Sequence, residues 1–169
     1  ILGNHDKWAF QWFLSKKAPD IWTNQGGNAT MHSYREGIPE AHVNFMKRAD
    51  YYHIIDNKVF VHGGFDPSKA IYQQDPEVFL WDRSMLYQAI EDGESGINEK
   101  LTSFDEIYVG HTPTIKLGER KPLNYAEIWM MDTGAGWNTG VLTIMDIDTK
   151  EYHISQPVET YYPNWPGRG

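Results

Sequence analysis

Glu106-Ile107-Tyr108-Val109-Gly110-His111-Thr112-Pro113 reads as a short strand stopped by a turn. β-Branched and aromatic residues favour the pleated state, and Gly and Pro then end it. The same order recurs at Lys58-Val59-Phe60-Val61, which runs into His62-Gly63-Gly64. At the start of the chain, Ile1-Leu2 runs into Gly3-Asn4-His5-Asp6 and reads as the end of a buried strand. Three strands thus each deliver Asn or His on a glycine-flanked loop. In α/β architectures, sites gather where loops leave strand ends. The pattern therefore predicts an α/β fold in which Asn4, His62 and His111 meet.

Working outward, residues 7–17 carry Trp8, Trp12 and Phe13 at helical spacing, with Asp6 placed as the cap. Residues 22–30, with paired glycines and asparagines, read as a loop. Helices are predicted over 39–49, with Val43 and Met46 on one face, and over 78–92. A strand over 127–131 leads into Asp132-Thr133-Gly134, and 141–147 pairs with 151–155 across Asp148-Thr149-Lys150. The aromatic, proline-rich tail from Tyr161 is expected to be extended. Repeats and interdomain linkers are absent.

The length of 169 residues suits one domain, and 40% hydrophobic residues supply a core. A formal net charge of −8 argues against non-specific binding to nucleic acid or anionic membrane. The lack of cysteine removes disulfides, thiolate nucleophiles and thiolate metal sites, and fits a cytoplasmic protein. No apolar run approaches the roughly 20 residues that span a bilayer, and no signal peptide is evident. The first residues lack an initiator Met, so upstream sequence is expected.

Neutral imidazoles with an amide oxygen suit Mn, Fe or Zn, ions that activate water and neutralise phosphate. Gly3, Gly63, Gly64 and Gly110 let the backbone turn sharply and approach closely. Asn4 and His5 point in different directions, so one can ligate metal while the other faces a substrate. His32, His42, His53 and His153 lack such loops and read as ordinary surface or core residues. Trp8, Trp12 and Trp129 read as core, and Trp22 and Tyr72 as exposed residues that shape a groove.

These motifs resemble the calcineurin-like metallophosphoesterases, especially the serine/threonine protein-phosphatase branch and its bacterial relatives. Gly3-Asn4-His5-Asp6 is similar to the family's GNH[DE] motif, Val61-His62-Gly63-Gly64 to HGG, and Gly110-His111-Thr112-Pro113 to GHTP. Supporting matches are Trp22 with Gly26-Gly27, Leu80-Trp81-Asp82-Arg83, Met131-Asp132-Thr133-Gly134-Ala135 and Gly140-Val141-Leu142-Thr143. The resemblance implies a four-layer sandwich of two mixed β-sheets flanked by helices. It implies two divalent ions, Mn with Fe or Zn as alternatives, the second held by Asn4, His62 and His111. It makes His5 the general acid and Arg83 the catalytic, substrate-binding arginine that grips phosphate. Asp6 becomes a helix cap or a partner behind the ligands. Two further family motifs, Gly-Asp-x-His and Gly-Asp-x-x-Asp-Arg-Gly, are missing, so residues 1–169 are expected to be the C-terminal part of one domain. The implied reaction is hydrolysis of phosphomonoesters on a phosphorylated protein or small molecule, of Ser/Thr or dual specificity. A symmetrical dinucleoside tetraphosphate hydrolase and a non-catalytic phospho-ligand-binding module are the alternatives.

Overall fold

The computed structural model describes residues 1–164. Helices α1 (Asn4–Ser15), α2 (Asp20–Trp22), α3 (Asn28–Ser33) and α4 (Glu40–Lys47) come first. Strands β1 (Tyr52–Ile55) and β2 (Lys58–Val61) follow, then α5 (Val78–Trp81) and α6 (Ser84–Glu94). The rest comprises β3 (Glu106–Val109), β4 (Leu123–Tyr125), β5 (Ile128–Met130), β6 (Thr143–Met145), β7 (Tyr152–Ile154) and α7 (Val158–Tyr161). The fold is α/β, with a mixed five-stranded sheet ordered β1-β2-β3-β5-β4 and a second, two-stranded sheet of β6 and β7. The second sheet is an antiparallel hairpin.

Alternation along each central strand explains the sheet. Val59 and Val61, Ile107 and Val109, and Ile128 and Met130 point into one core, at 0–1% exposure. Onto that face α6 lays Met85, Leu86, Ala89 and Ile90. The intervening residues Phe60, Tyr108 and Trp129 sit in one cross-strand row and stack, with centroids 5.0 and 6.4 Å apart. Lys150 of the β6–β7 turn lies over Tyr108 and Trp129, and its Nζ is 2.6 Å from Glu106 Oε1. That contact pins the hairpin to the second face of the sheet. A separate aromatic cluster of Trp8, Phe13 and Trp22 joins α1 to the segments after it, and Trp8 meets Trp81 at 5.2 Å.

Several expectations need correction. Helix α1 begins at Asn4, so Gly3 is its cap position, and Asp6 reaches back to accept from Gly3 N at 2.8 Å. Ile1-Leu2 forms no strand and instead donates one backbone bond, Leu2 N to Asp50 O. Residues 22–30 are helical turns kinked at Gly26, whose φ is +98°. Trp22 is buried at 1%, because the missing Cβ of Gly27 lets the chain lie against its ring. The helix expected over 78–92 breaks at Asp82, whose carboxylate accepts from Ser84 N and Oγ, both at 3.0 Å, and restarts as α6. Tyr161 closes a short helix rather than an extended tail, and residues 165–169 of that tail lie outside the described residues. No helix among the described residues is long and apolar enough to cross a membrane.

Candidate functional site

Strands β2 and β3 are parallel neighbours, with Val61 opposite Val109. Their next residues therefore leave the sheet at the same edge, and Gly110 N donates to His62 O at 2.9 Å. The chain then turns hard at His111. Its φ is +62°, and Thr112 N bonds Gly110 O across it at 2.5 Å. A non-glycine residue held there costs about 1–3 kcal/mol, a strain that concentrates at functional sites. Thr114, fully buried, anchors the far side by donating its N–H to Asp132 O at 2.8 Å.

The turn brings the two imidazoles together. Their centroids are 4.8 Å apart, and the edge of Trp81 supports His111 at 5.6 Å. His62 Nε2 lies 2.8 Å from Asn4 Oδ1 and 3.1 Å from His111 Nδ1. Asn4 arrives from the first turn of α1 and is 3% exposed. The approach depends on Gly3, since a Cβ there would stand 2.9 Å from His62 Nδ1.

A neutral ring nitrogen carries one proton or one lone pair in its plane. As hydrogen bonds alone, the two contacts to Nε2 would have to share it. As ligands they are ordinary, because donors about 2.0–2.2 Å from one ion at right angles stand about 3 Å apart. Two imidazoles and an amide oxygen are a donor set for Mn, Fe or Zn. Among the described residues, no group of three or more His, Cys, Asp or Glu side chains is gathered for an ion. The candidate set is thus His-His-Asn for a single ion, and no carboxylate-bearing or histidine group is gathered for the other ion of the expected pair among the described residues.

Asn4 and His111 line a cleft of about 340 Å³ together with Arg83, Lys116 and Trp137, and Asn24 and Gln25 complete its lining. Arg83 stands at the break between α5 and α6, where Nη1 donates to Trp81 O at 3.2 Å. That break is fixed from the His62 side, as Gly63 N donates to Phe79 O at 2.7 Å. A Cβ on Gly63 would stand 3.0 Å from Trp81 N and 3.1 Å from Asp82 O. The two glycines after His62 therefore couple the metal-type donors to the arginine. Among the described residues, the cleft lining has two cations and no carboxylate.

The structure brings Asn4, His62, His111 and Arg83 to one region. His5 packs edge-on against Trp8 at 5.0 Å and is not among the described residues lining the cleft. Asp6 serves the backbone of α1, as described. Lys116 and Trp137, which sequence reasoning passed over, belong to the same cleft. His42 pairs with Tyr34 and His32 with Arg35, while His53 and His153 lie on exposed strands. Tyr72 is 75% exposed and lies outside this lining.

Among solved structures, the chain is similar to one from a bacterium. It is a metallophosphoesterase from Sphaerobacter thermophilus, 14% identical, with a TM-score of 0.49 over 93% of this chain and 65% of that one. The chain thus spans a little under two thirds of that chain's length. No family model and no curated protein matches.

Proposed function

We propose that this chain carries one ion site and the phosphate-gripping arginine of a metal-dependent phosphomonoesterase. The observation that carries the reading is the convergence of Asn4 Oδ1 and His111 Nδ1 on His62 Nε2. Asn4, His62 and His111 would hold a divalent ion at that point, which would supply Lewis-acid activation of water and charge neutralisation of the phosphoryl oxygens. Arg83 adds a planar fork of N–H donors, suited to two phosphoryl oxygens at once. His5, next to Asn4 on the first turn of α1, is the proton donor we assign to the leaving oxygen, a role that requires its ring to turn from Trp8 towards the cleft. In a chain of net charge −8, a cleft lined by two cations and no carboxylate concentrates anions locally. Its volume of about 340 Å³ is near the lower end for ligand pockets, which favours a phosphomonoester over a dinucleoside tetraphosphate. The substrates we assign are phosphorylated protein side chains or small phosphoesters, with Mn as the first candidate metal.

Metal content per chain and turnover of a phosphomonoester, measured on the natural full-length protein, test this. His62→Ala and His111→Ala should each release an ion and stop turnover. His5→Ala should keep the ions and lose about 10²–10⁴ of the rate. Full retention of metal in both ligand variants would overturn the assignment.

A further inference from the structure

Beside the donors and Arg83, the cleft contains a second cation, Lys116, and the indole of Trp137, to which the proposed phosphate chemistry gives no part. Lys116 comes from the turn after His111, and Trp137 from the turn after β5. The two turns are locked to each other. Thr114 N donates to Asp132 O at 2.8 Å, and Thr114 Oγ1 donates to Glu119 O at 2.9 Å. Gly134 has a φ of +83°, and a Cβ on it would meet Ile115 Cδ1 at 2.6 Å, so Ile115 packs directly on that backbone. Trp137 N in turn bonds Gly134 O at 2.8 Å. Residues on both sides of this packing therefore reach the cleft on a fixed frame. Lys116 is exposed and forms no ion pair among the described residues, and Trp137 is half-buried.

We infer that Trp137 receives the group esterified to the phosphate and selects an aromatic one, with Lys116 meeting the phosphoryl charge beside it, so that the preferred substrates are aryl phosphates of the phosphotyrosine type. The inference rests on the phosphomonoesterase reading of the same cleft. An indole offers a planar apolar face to a ring and little to a short alkyl chain. The ammonium meets the anionic charge that such an ester carries beside its ring. A cleft of about 340 Å³ has room for a phosphoryl group and one ring, at the small end of ligand pockets.

Phenylphosphonate and methylphosphonate, which are not hydrolysed, separate the ring from the phosphorus group. Their dissociation constants are measured by calorimetry on the natural full-length protein loaded with Mn, beside kcat/KM on matched phosphotyrosine and phosphoserine peptides. Phenylphosphonate should bind about fivefold to tenfold tighter. Trp137→Ala should erase that gap, and Trp137→Phe should keep most of it. Lys116→Ala should weaken both phosphonates alike. Equal affinities for the two phosphonates, with peptide turnover intact, would overturn the aryl preference and leave the phosphatase reading standing. If neither phosphonate binds and no phosphomonoester is cleaved, both readings fall together.

Discussion

Replacing Gly3 by alanine tests whether the donor cluster is held by close packing. The new Cβ would lie 2.9 Å from His62 Nδ1 and 3.0 Å from Cε1, where ordinary contact begins at 3.4 Å. The imidazole must therefore retreat by about 0.5 Å, well beyond the ±0.2 Å tolerance of a good metal–ligand distance. Nε2 now stands 2.8 Å from Asn4 Oδ1, and the retreat spoils the common point of the three donors. Loss of a support behind a ligand typically costs 10–100-fold in metal affinity, and about that loss is expected here. The fold should survive, because the backbone of Gly3 is extended (φ −100°) and open to alanine, and Asp6 Oδ2, 3.1 Å from the new Cβ, is the end of a side chain that can shift. Titration with Mn by calorimetry reads the affinity, and far-UV circular dichroism controls for folding. A folded Gly3→Ala protein that binds Mn as tightly as the parent would refute the packing argument.

Gly63→Ala places a Cβ 3.0–3.1 Å from backbone atoms of Leu80, Trp81 and Asp82, which cannot rotate away. Overpacking of that kind costs about 1–3 kcal/mol, or about 2–4 °C in Tm for each kcal/mol at this size. An unchanged melting midpoint would count against the coupling between His62 and the Arg83 segment. At Glu106, burial raises the carboxyl pKa, but bonds from Lys150 and Tyr108 outweigh it and leave the pKa lowered. Its stabilising effect is thus present above the unfolded carboxyl range near pH 4.3 and is lost as pH falls through the lower folded value. Urea midpoints followed from pH 6 to pH 3 should fall more shallowly in Glu106→Gln than in the parent, and identical slopes would remove the network's pH role.

Much of this was legible in the sequence. Strands β2 and β3 stand where alternation of Val59, Phe60 and Val61 and of Ile107, Tyr108 and Val109 puts them. Their parallel pairing then brings the two loop histidines side by side. Strand β1 escaped notice because its residues are mostly exposed and show no alternating pattern. Its turn, Asp56-Asn57, has φ of +48° and +58° and so does the work usually given to Asn-Gly. Strand β4 is three residues long and owes its place to pairing with β5. The glycines at 26 and 27 signal a loop by composition, yet burial of Trp22 against Gly27 overrides that preference. Asp82 likewise reads as a helix residue, yet its backbone is extended and its carboxylate accepts from Ser84 N at the start of α6. Lys116 and Trp137 carry no periodic or motif signal, because what joins them is the contact of Ile115 with Gly134 across separate turns.

One feature of the cluster looks adverse at first. Asn4 belongs to the first turn of α1, and a helix N-terminus carries roughly +0.5 of an elementary charge, which repels a nearby cation. Asp6 answers this directly. Its carboxylate sits in that same turn and binds Gly3 N at 2.8 Å, placing a full negative charge where the positive end of the helix would act. It also stands within 3.1 Å of the Cβ position that Gly3 leaves empty beside His62. Asp6 therefore works as a local counter-charge that lets a helix start, which is naturally an anion site, present an amide oxygen to a cation.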